Sequence, residues 1–297
     1  MTEQPLVSVV IATYNMGHYL TLAIESVLAQ SWPNLDVVVV DDGSEDDTRE
    51  QMRGFEEDSR VRYFPTENQG QPKAKNRGLQ EARGEFIAFC DADDHWQPNK
   101  LKIQMPYFAD PKVGVVYSEV SYIDEHGDPV EKEIPYKRYS GRVTESLVIK
   151  NFVPFGTAVI RRACVEKNGR FDESLPMGID WDLWLRYSLS WHFQYAPDVT
   201  YVYRIWPGQM SKNYRGRYKN AFLILNKFID AHSDAVPEAL MAKAWADMYI
   251  SRGMSMAHSE KLFVEPFKDV LTGLRYDWSY LPAWKAIARL LLNRVRG

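Results

Sequence analysis

Apolar and polar positions along this chain fall into two regimes. As far as about Phe108, short unbroken apolar runs alternate with stretches of helical spacing. Val7 to Ala12 is a continuous β-branched run, the pattern of a central parallel strand covered on both faces. Leu20, Ala23, Ile24, Val27 and Leu28 then recur at helical spacing, and Pro33 marks a stop. Leu35 to Val40 reads as a second buried strand closing on DDGSEDDT, whose Gly43-Ser44 turn and acids suit a helix N-terminus. Val61 to Phe64 is a short third strand, ENQGQPKAKNRGL a loop running into a helix, Phe86 to Phe89 a fourth strand, and Pro98 opens a helix through Phe108. Such alternation predicts an α/β fold, a Rossmann-like and mostly parallel sheet flanked by helices.

The second regime begins at Gly114. GVVYSEVSYID has strand period, DEHGDP is a turn, and Glu131 to Arg142 reads as a mobile, irregular loop. Thr144 to Lys150 suits a helix, and Gly156 to Ile160 a strand followed by a short helix near Cys164. In MGIDWDLWLRYSLS, Trp181, Leu185 and Leu189 share a helical face with Trp184 and Tyr187 beside it, and Asp180 stands at the helix start. Phe193 to Tyr195 and Val199 to Tyr203 read as two short strands, and RIWPGQMSKN as a Pro-Gly loop. From Tyr214 the pattern is helical to the end. The expected division is therefore an α/β domain over 1–213 and a helical C-terminal extension over 214–297.

Composition narrows the function class. The 297 residues are 45% apolar and 26% charged, ordinary for a globular protein, and a net charge of -4 argues against a dedicated nucleic-acid binder. Cys90 and Cys164 belong to no C-x-x-C pair and read as core thiols of a reducing compartment. The N-terminus lacks the basic region of a signal peptide, and no apolar run reaches the ~18 residues of a membrane span, which predicts a cytoplasmic protein. In PAWKAIARLLLNRVRG, Trp284, Ala288, Leu291 and Val295 share one face bordered by Lys285, Arg289 and Arg296. This pattern fits two arrangements equally: a helix lying at an anionic membrane surface through residues 281–297, or a terminal helix docked on the body.

The candidate chemistry gathers at strand ends. EFIAFCDADDHW runs from a buried strand into Asp91, Asp93 and Asp94. Clustered acids at the tip of a core strand repel one another and need a cation among them. Oxygen ligands alone suit a hard divalent ion, Mg²⁺ or Mn²⁺, with phosphate oxygens completing its shell. An isolated D-x-D is more often an idle acidic loop. Here, however, three predicted strands end in polar residues, at Thr13-Tyr14-Asn15, Asp41-Asp42 and Asp91-Asp93. In doubly wound sheets ligands sit beyond those ends. The first strand is not followed by G-x-G-x-x-G, which argues against a dehydrogenase, and TYNMGHY has neither the glycines nor the cations of a triphosphate loop, which argues against a nucleotidyltransferase.

VSVVIATYN, DDGSEDDT, NQGQPKAKN, DADD, DWDLWLR and YRIWPGQMS occur in this order between about Leu6 and Asn213. With these motifs the chain resembles the inverting glycosyltransferases called family two, whose catalytic domain has the GT-A fold. The resemblance implies transfer from a nucleotide sugar, most often a UDP sugar, to a hydroxyl of a glycan or lipid-linked saccharide, assisted by Mn²⁺ or Mg²⁺. It implies that Thr13, Tyr14 and Asn15 lie beside the base and that Asp42 accepts its ring N–H. Asn68, Gly70 and Lys75 would line the nucleotide and diphosphate. Asp91, Ala92 and Asp93 would meet the ribose and the metal, with Asp93 and Asp91 as metal-binding carboxylates, and Asp180 would be the general base. Trp181, Arg204 and Gln209 are weaker candidates for acceptor binding or loop closure.

Three positions depart from the family pattern. Ile179 replaces the usual Glu before the base, Lys75 a frequent Arg, and Trp206 a histidine that often completes the metal site. Ile179 and Trp206 keep a second reading open, a non-catalytic sugar-nucleotide binder or assembly partner of the same fold. Sugar identity, acceptor and oligomeric state are not encoded in these motifs.

Overall fold

A computed structural model of the chain describes residues 4–132 and 137–296, with the side chains of 293–296 left aside. The first half follows the predicted alternation. Val7–Thr13 (β1) leads into Gly17–Leu28 (α1), Leu35–Asp41 (β2), Thr48–Met52 (α2), Val61–Pro65 (β3), Gln71–Glu81 (α3) and Phe86–Phe89 (β4). His95–Trp96 (β5) and Lys100–Gln104 (α4) precede the long strand Val113–Asp124 (β6) and Thr144–Ile149 (α5). Val159–Arg161 (β7), Arg162–Asn168 (α6), Ile179–Ser188 (α7) and His192–Ile205 (β8) follow. The chain ends in Tyr214–Ala231 (α8), Glu238–Ser259 (α9), Val264–Tyr276 (α10) and Leu281–Arg296 (α11).

Among the described residues the strands form one eight-stranded sheet in the order β3-β2-β1-β4-β7-β6-β8-β5. β3, β2, β1 and β4 are all parallel, β6 and β8 are parallel, and β7 and β5 pair antiparallel. β1, β2 and β4 are buried almost throughout, as unbroken Val, Ile and Phe runs require when helices cover both faces of a sheet. Their carboxyl ends therefore stand side by side, one strand spacing of about 4.8 Å apart.

Two expected strand segments take a different form in the structure. The strand expected over Gly156 to Ile160 is a single helical turn at Phe155–Thr157 followed by the three-residue β7. Gly156 is tucked against Tyr201, where an added Cβ would stand 2.0 Å from the ring, so the backbone turns there. The two short strands expected over 193–203 are one strand, β8, carried past Pro197 and Asp198 by register shifts against β6. Only part of the loop expected over Glu131 to Arg142 can be compared, because 133–136 lie outside the described residues.

The molecule comprises two compact units, Met1–Val143 with Phe152–Trp206, and Thr144–Asn151 with Pro207–Gly297. The boundary thus follows Trp206, where the sequence suggested Asn213, and α5 belongs to the helical unit because it packs on α9. In that unit α11 docks through Ala283, Ala286 and Leu290 against a cluster containing Ala246, Ile250 and Val270. Its Trp284, Ala288 and Leu291 face solvent, as do Lys285 and Arg289, so the helix has both a docked face and an open one; Val295 and Arg296 lie outside the described side chains. No helix among the described residues is long and apolar enough to cross a membrane.

Candidate active site

The tips of β1 and β2 are joined to the loop before α3. Asp42 N–H donates to the Thr13 carbonyl at 2.9 Å. Asn15 takes a left-handed conformation (φ 53°), its N–H donating to Ser44 Oγ at 2.8 Å while its Oδ1 accepts the Glu45 N–H at 2.8 Å. A non-glycine residue held there needs such fixing, and strained backbone tends to collect where ligands bind. Gly43 (φ 77°) lets this turn lie against the 67–70 loop, since a Cβ on it would stand 2.6 Å from the Asn68 nitrogen. Asp42 is buried, and its two oxygens accept the Gln69 and Gly70 N–H groups, each at 2.8 Å. Part of what Asp42 does is therefore to shape the loop that carries Asn68 and Gly70. Thr13 Oγ1 is buried and has no hydrogen-bond partner among the described residues. A buried hydroxyl left unpaired costs about 1–3 kcal/mol, and at the end of β1 a ligand or a water would satisfy it.

The tip of β4 forms the second group. Lys75, on α3 and 4% exposed, places Nζ 2.8 Å from Asp91 Oδ1 and 3.8 Å from the centre of the Phe155 ring. Ala92 is buried. The Asp93 carbonyl accepts Arg204 Nε–H at 3.0 Å, and its carboxylate Oδ2 accepts Trp206 Nε1–H at 2.8 Å. Asp94 is 2% exposed; its Oδ1 accepts the Arg204 N–H at 2.7 Å and its Oδ2 accepts Tyr201 Oη–H at 2.8 Å. Tyr201 Oη in turn accepts the Asp91 N–H at 3.2 Å. Burial, and then the charges of Asp93 and Asp91, push the Asp94 carboxyl well above the usual carboxylate range. The tip nevertheless carries an excess of acids over cations in its own sequence, Asp91, Asp93 and Asp94 with no Lys or Arg among them.

A hard divalent cation fits that excess. Among the described residues no three His, Cys, Asp or Glu side chains converge as a ready-made metal site. With Asp91 tied to Lys75, a cation would depend on Asp93 together with ligand and water oxygens, a common way of holding Mg²⁺.

α7 is capped by Gly178, which takes the left-handed conformation, so Asp180 is the second residue of the helix and partly exposed. Trp184, one turn further along the same face, packs 6.3 Å from Phe155, the ring that carries Lys75 Nζ. This chain of contacts ties the helix bearing Asp180 to the Lys75–Asp91 pair. Tyr14 is exposed, whereas Trp181 is 6% exposed and presents no open ring. Arg204 is 4% exposed, with its guanidinium over Tyr19 at 4.4 Å and NH1 donating to the Asp124 carbonyl. Both are thus embedded supports in this structure. Gln209 belongs to the helical unit.

Sequence reading did not single out Tyr201, Phe155 or the Trp206–Asp93 bond. No local pattern marks them, because their contacts join segments far apart in the sequence.

The comparisons agree with this architecture. The Glycosyl transferase family 2 profile matches residues 8–169, more than half of the chain. An uncharacterized glycosyltransferase of Rickettsia typhi is 34% identical over 191 residues, 63% of this chain and 59% of that protein. A putative teichuronic acid biosynthesis glycosyltransferase of Bacillus subtilis is 35% identical over 133 residues, 44% of this chain and 53% of that protein. The chain spans 26% to 59% of the length of the first curated relatives it matches. Among solved structures, S. aureus TarS in complex with UDP-GlcNAc superposes with a TM-score of 0.68 at 19% identity, covering 91% of this chain and 81% of that one. A Pyrobaculum calidifontis mannosyltransferase with GDP-Man and Mn²⁺ gives 0.58 at 19% identity, covering 99% and 87%. With the sheet order, the clustered strand tips and the family profile all in agreement, the chain belongs to glycosyl transferase family 2.

Proposed function

We propose that this protein transfers a sugar from a nucleotide-sugar donor, a UDP sugar in the first instance, to a hydroxyl of a glycan or lipid-linked acceptor with inversion at the anomeric carbon. The observation that carries the proposal is the gathering at one end of the sheet of the partnerless Thr13 hydroxyl, the Asp42-held loop, buried Lys75 and the Asp91–Asp93 tip. This combination suits a base, a ribose and a diphosphate laid across adjacent strand ends. Thr13, Tyr14, Asn15 and Asp42 take the base side, Asn68, Gly70 and Lys75 the diphosphate side, and Asp91 and Ala92 the ribose. Asp93 would hold Mn²⁺ or Mg²⁺, which would supply Lewis-acid stabilisation of the diphosphate leaving group.

Asp180 accepts the proton of the acceptor hydroxyl while that oxygen bonds to the anomeric carbon. The bond from that carbon to the diphosphate oxygen breaks in the same step, and its electron pair leaves with the phosphate. One displacement of this kind inverts the centre and needs no carboxylate nucleophile. Relatives and neighbours support the donor class: one is bound to UDP-GlcNAc and another to GDP-Man with Mn²⁺. The test is a screen of UDP and GDP sugars with Mn²⁺ and with Mg²⁺, reading thermal shift and donor hydrolysis. Stabilisation by one donor class that depends on metal is the expected result. A protein stabilised by no nucleotide sugar would refute the proposal.

The relative named for teichuronic acid biosynthesis supports a polysaccharide acceptor, and the helical unit supports work at the inner face of the plasma membrane by a cytoplasmic protein. Trp278 is 78% exposed, Leu281 60% and Trp284 52%, with Leu292 and the cations Lys285 and Arg289 also open to solvent. Indole rings beside cations suit an anionic headgroup layer. Because α11 is also docked, deleting it would disturb the core, so point changes on its open side and in the turn before it are the better probe. The double variant W278E/W284E should lose at least about ten-fold in co-sedimentation with phosphatidylglycerol vesicles while its melting temperature stays within a degree or two of wild type. Unchanged sedimentation would remove the membrane assignment.

A further inference from the structure

We infer that Trp206 is a positioning residue for the metal-binding carboxylate: its indole N–H orients Asp93 for the cation. The inference rests on the proposed role of Asp93 and deepens it.

The loop around Asp93 is held nearly everywhere else. Asp91 is paired with Lys75, Ala92 is buried, the Asp93 carbonyl is bonded to Arg204 Nε, and Asp94 is bonded to Tyr201 and to the Arg204 N–H. With its backbone fixed, Asp93 keeps only its two side-chain torsions, and the 2.8 Å bond from Trp206 Nε1 to Oδ2 constrains those. An indole nitrogen is a donor with no lone pair to offer, so Trp206 is not itself a ligand. A carboxylate oxygen has two lone pairs, so an N–H donor and a cation can share one carboxylate. Donors that orient a ligating carboxylate in this way typically contribute a factor of about 10 to 100 in metal affinity. Trp206 thus acts on the cation only through Asp93. The arrangement also joins the end of β8 to the acidic tip of β4.

The experiment measures the affinity of the full-length protein for UDP by calorimetry, without metal and with saturating Mn²⁺, and repeats both with GDP. The ratio of the two affinities is the metal–nucleotide coupling. Trp206→Phe keeps an aromatic ring and removes the donor. Its coupling should fall about ten-fold below wild type, with nucleotide affinity in the absence of metal unchanged and the melting temperature within a few degrees. A role limited to packing would lower the melting temperature and leave the coupling intact, and that result would overturn the inference. A wild-type protein with no coupling for either nucleotide would remove the metal assignment of Asp93 and this inference with it. Coupling in wild type that W206F preserves would remove the inference alone.

Discussion

Asp180→Asn should lower turnover by about 10²- to 10⁴-fold, the range that a positioned general base contributes, while donor affinity and melting temperature stay close to wild type. The helix that carries it explains why so large an effect is expected from one atom. α7 buries Trp181, Asp182, Leu183, Trp184, Leu185, Tyr187 and Ser188, so it is held on nearly every side. Arg186 clamps its own turn by pairing with Asp182 at 2.7 Å and reaches the Asn168 and Arg170 carbonyls. A residue in the first turn of so firmly held a helix has a well-fixed backbone from which to present its carboxylate. Asn has nearly the same shape but cannot take a proton from an acceptor hydroxyl. The measurement is donor-dependent turnover, with calorimetric donor binding as the control. Retained turnover in D180N would move the base elsewhere. A wild type that binds donor and turns nothing over would favour the non-catalytic binder that Ile179 and Trp206 left open.

What could be read from the sequence follows how local each determinant is. β1, β2 and β4 are unbroken apolar runs, so their existence and their parallel, buried character were legible, and with them the polar tips where chemistry gathers. β7 was not legible as it stands, because three residues carry no period and the turn before it is set by the contact of Gly156 with Tyr201. The continuity of β8 through Pro197 was hidden too, since a proline in a run argues against a strand unless bulges absorb it. α5 belongs to the helical unit through contacts with residues about a hundred positions away, which no local pattern encodes. At the candidate site the acids were visible as types, but their partners were not. That Asp91 is balanced by Lys75, Asp42 by two backbone N–H groups and Asp93 by an indole follows from packing.

Asp94→Ala should cost about 2–4 kcal/mol of stability, because it strands two buried donors, Tyr201 Oη–H and the Arg204 N–H, at about 1–3 kcal/mol each. Removal of a carboxyl that burial already disfavours offsets part of that loss. At about 2–4 °C per kcal/mol for a folded unit of this size, the melting temperature should fall by roughly 5–15 °C. Asp94→Asn should fall between the two: its amide oxygen can still accept the Arg204 N–H, while its NH₂ faces Tyr201 Oη, which must turn to accept it. Tyr201→Phe removes two bonds, leaving an Asp94 oxygen and the Asp91 N–H short of a partner, but Asp94 keeps its bond from the Arg204 N–H, so a smaller loss of about 1–2 kcal/mol is expected. The two residues share a bond, so D94A with Y201F should be less than additive. The same network ties the neighbours of Asp93 to β8, so D94A should also reduce the Mn²⁺ coupling of nucleotide binding when measured well below its melting temperature. An additive double variant, or D94A melting with the wild type, would mean that the tip of β4 is held by something other than this buried acid.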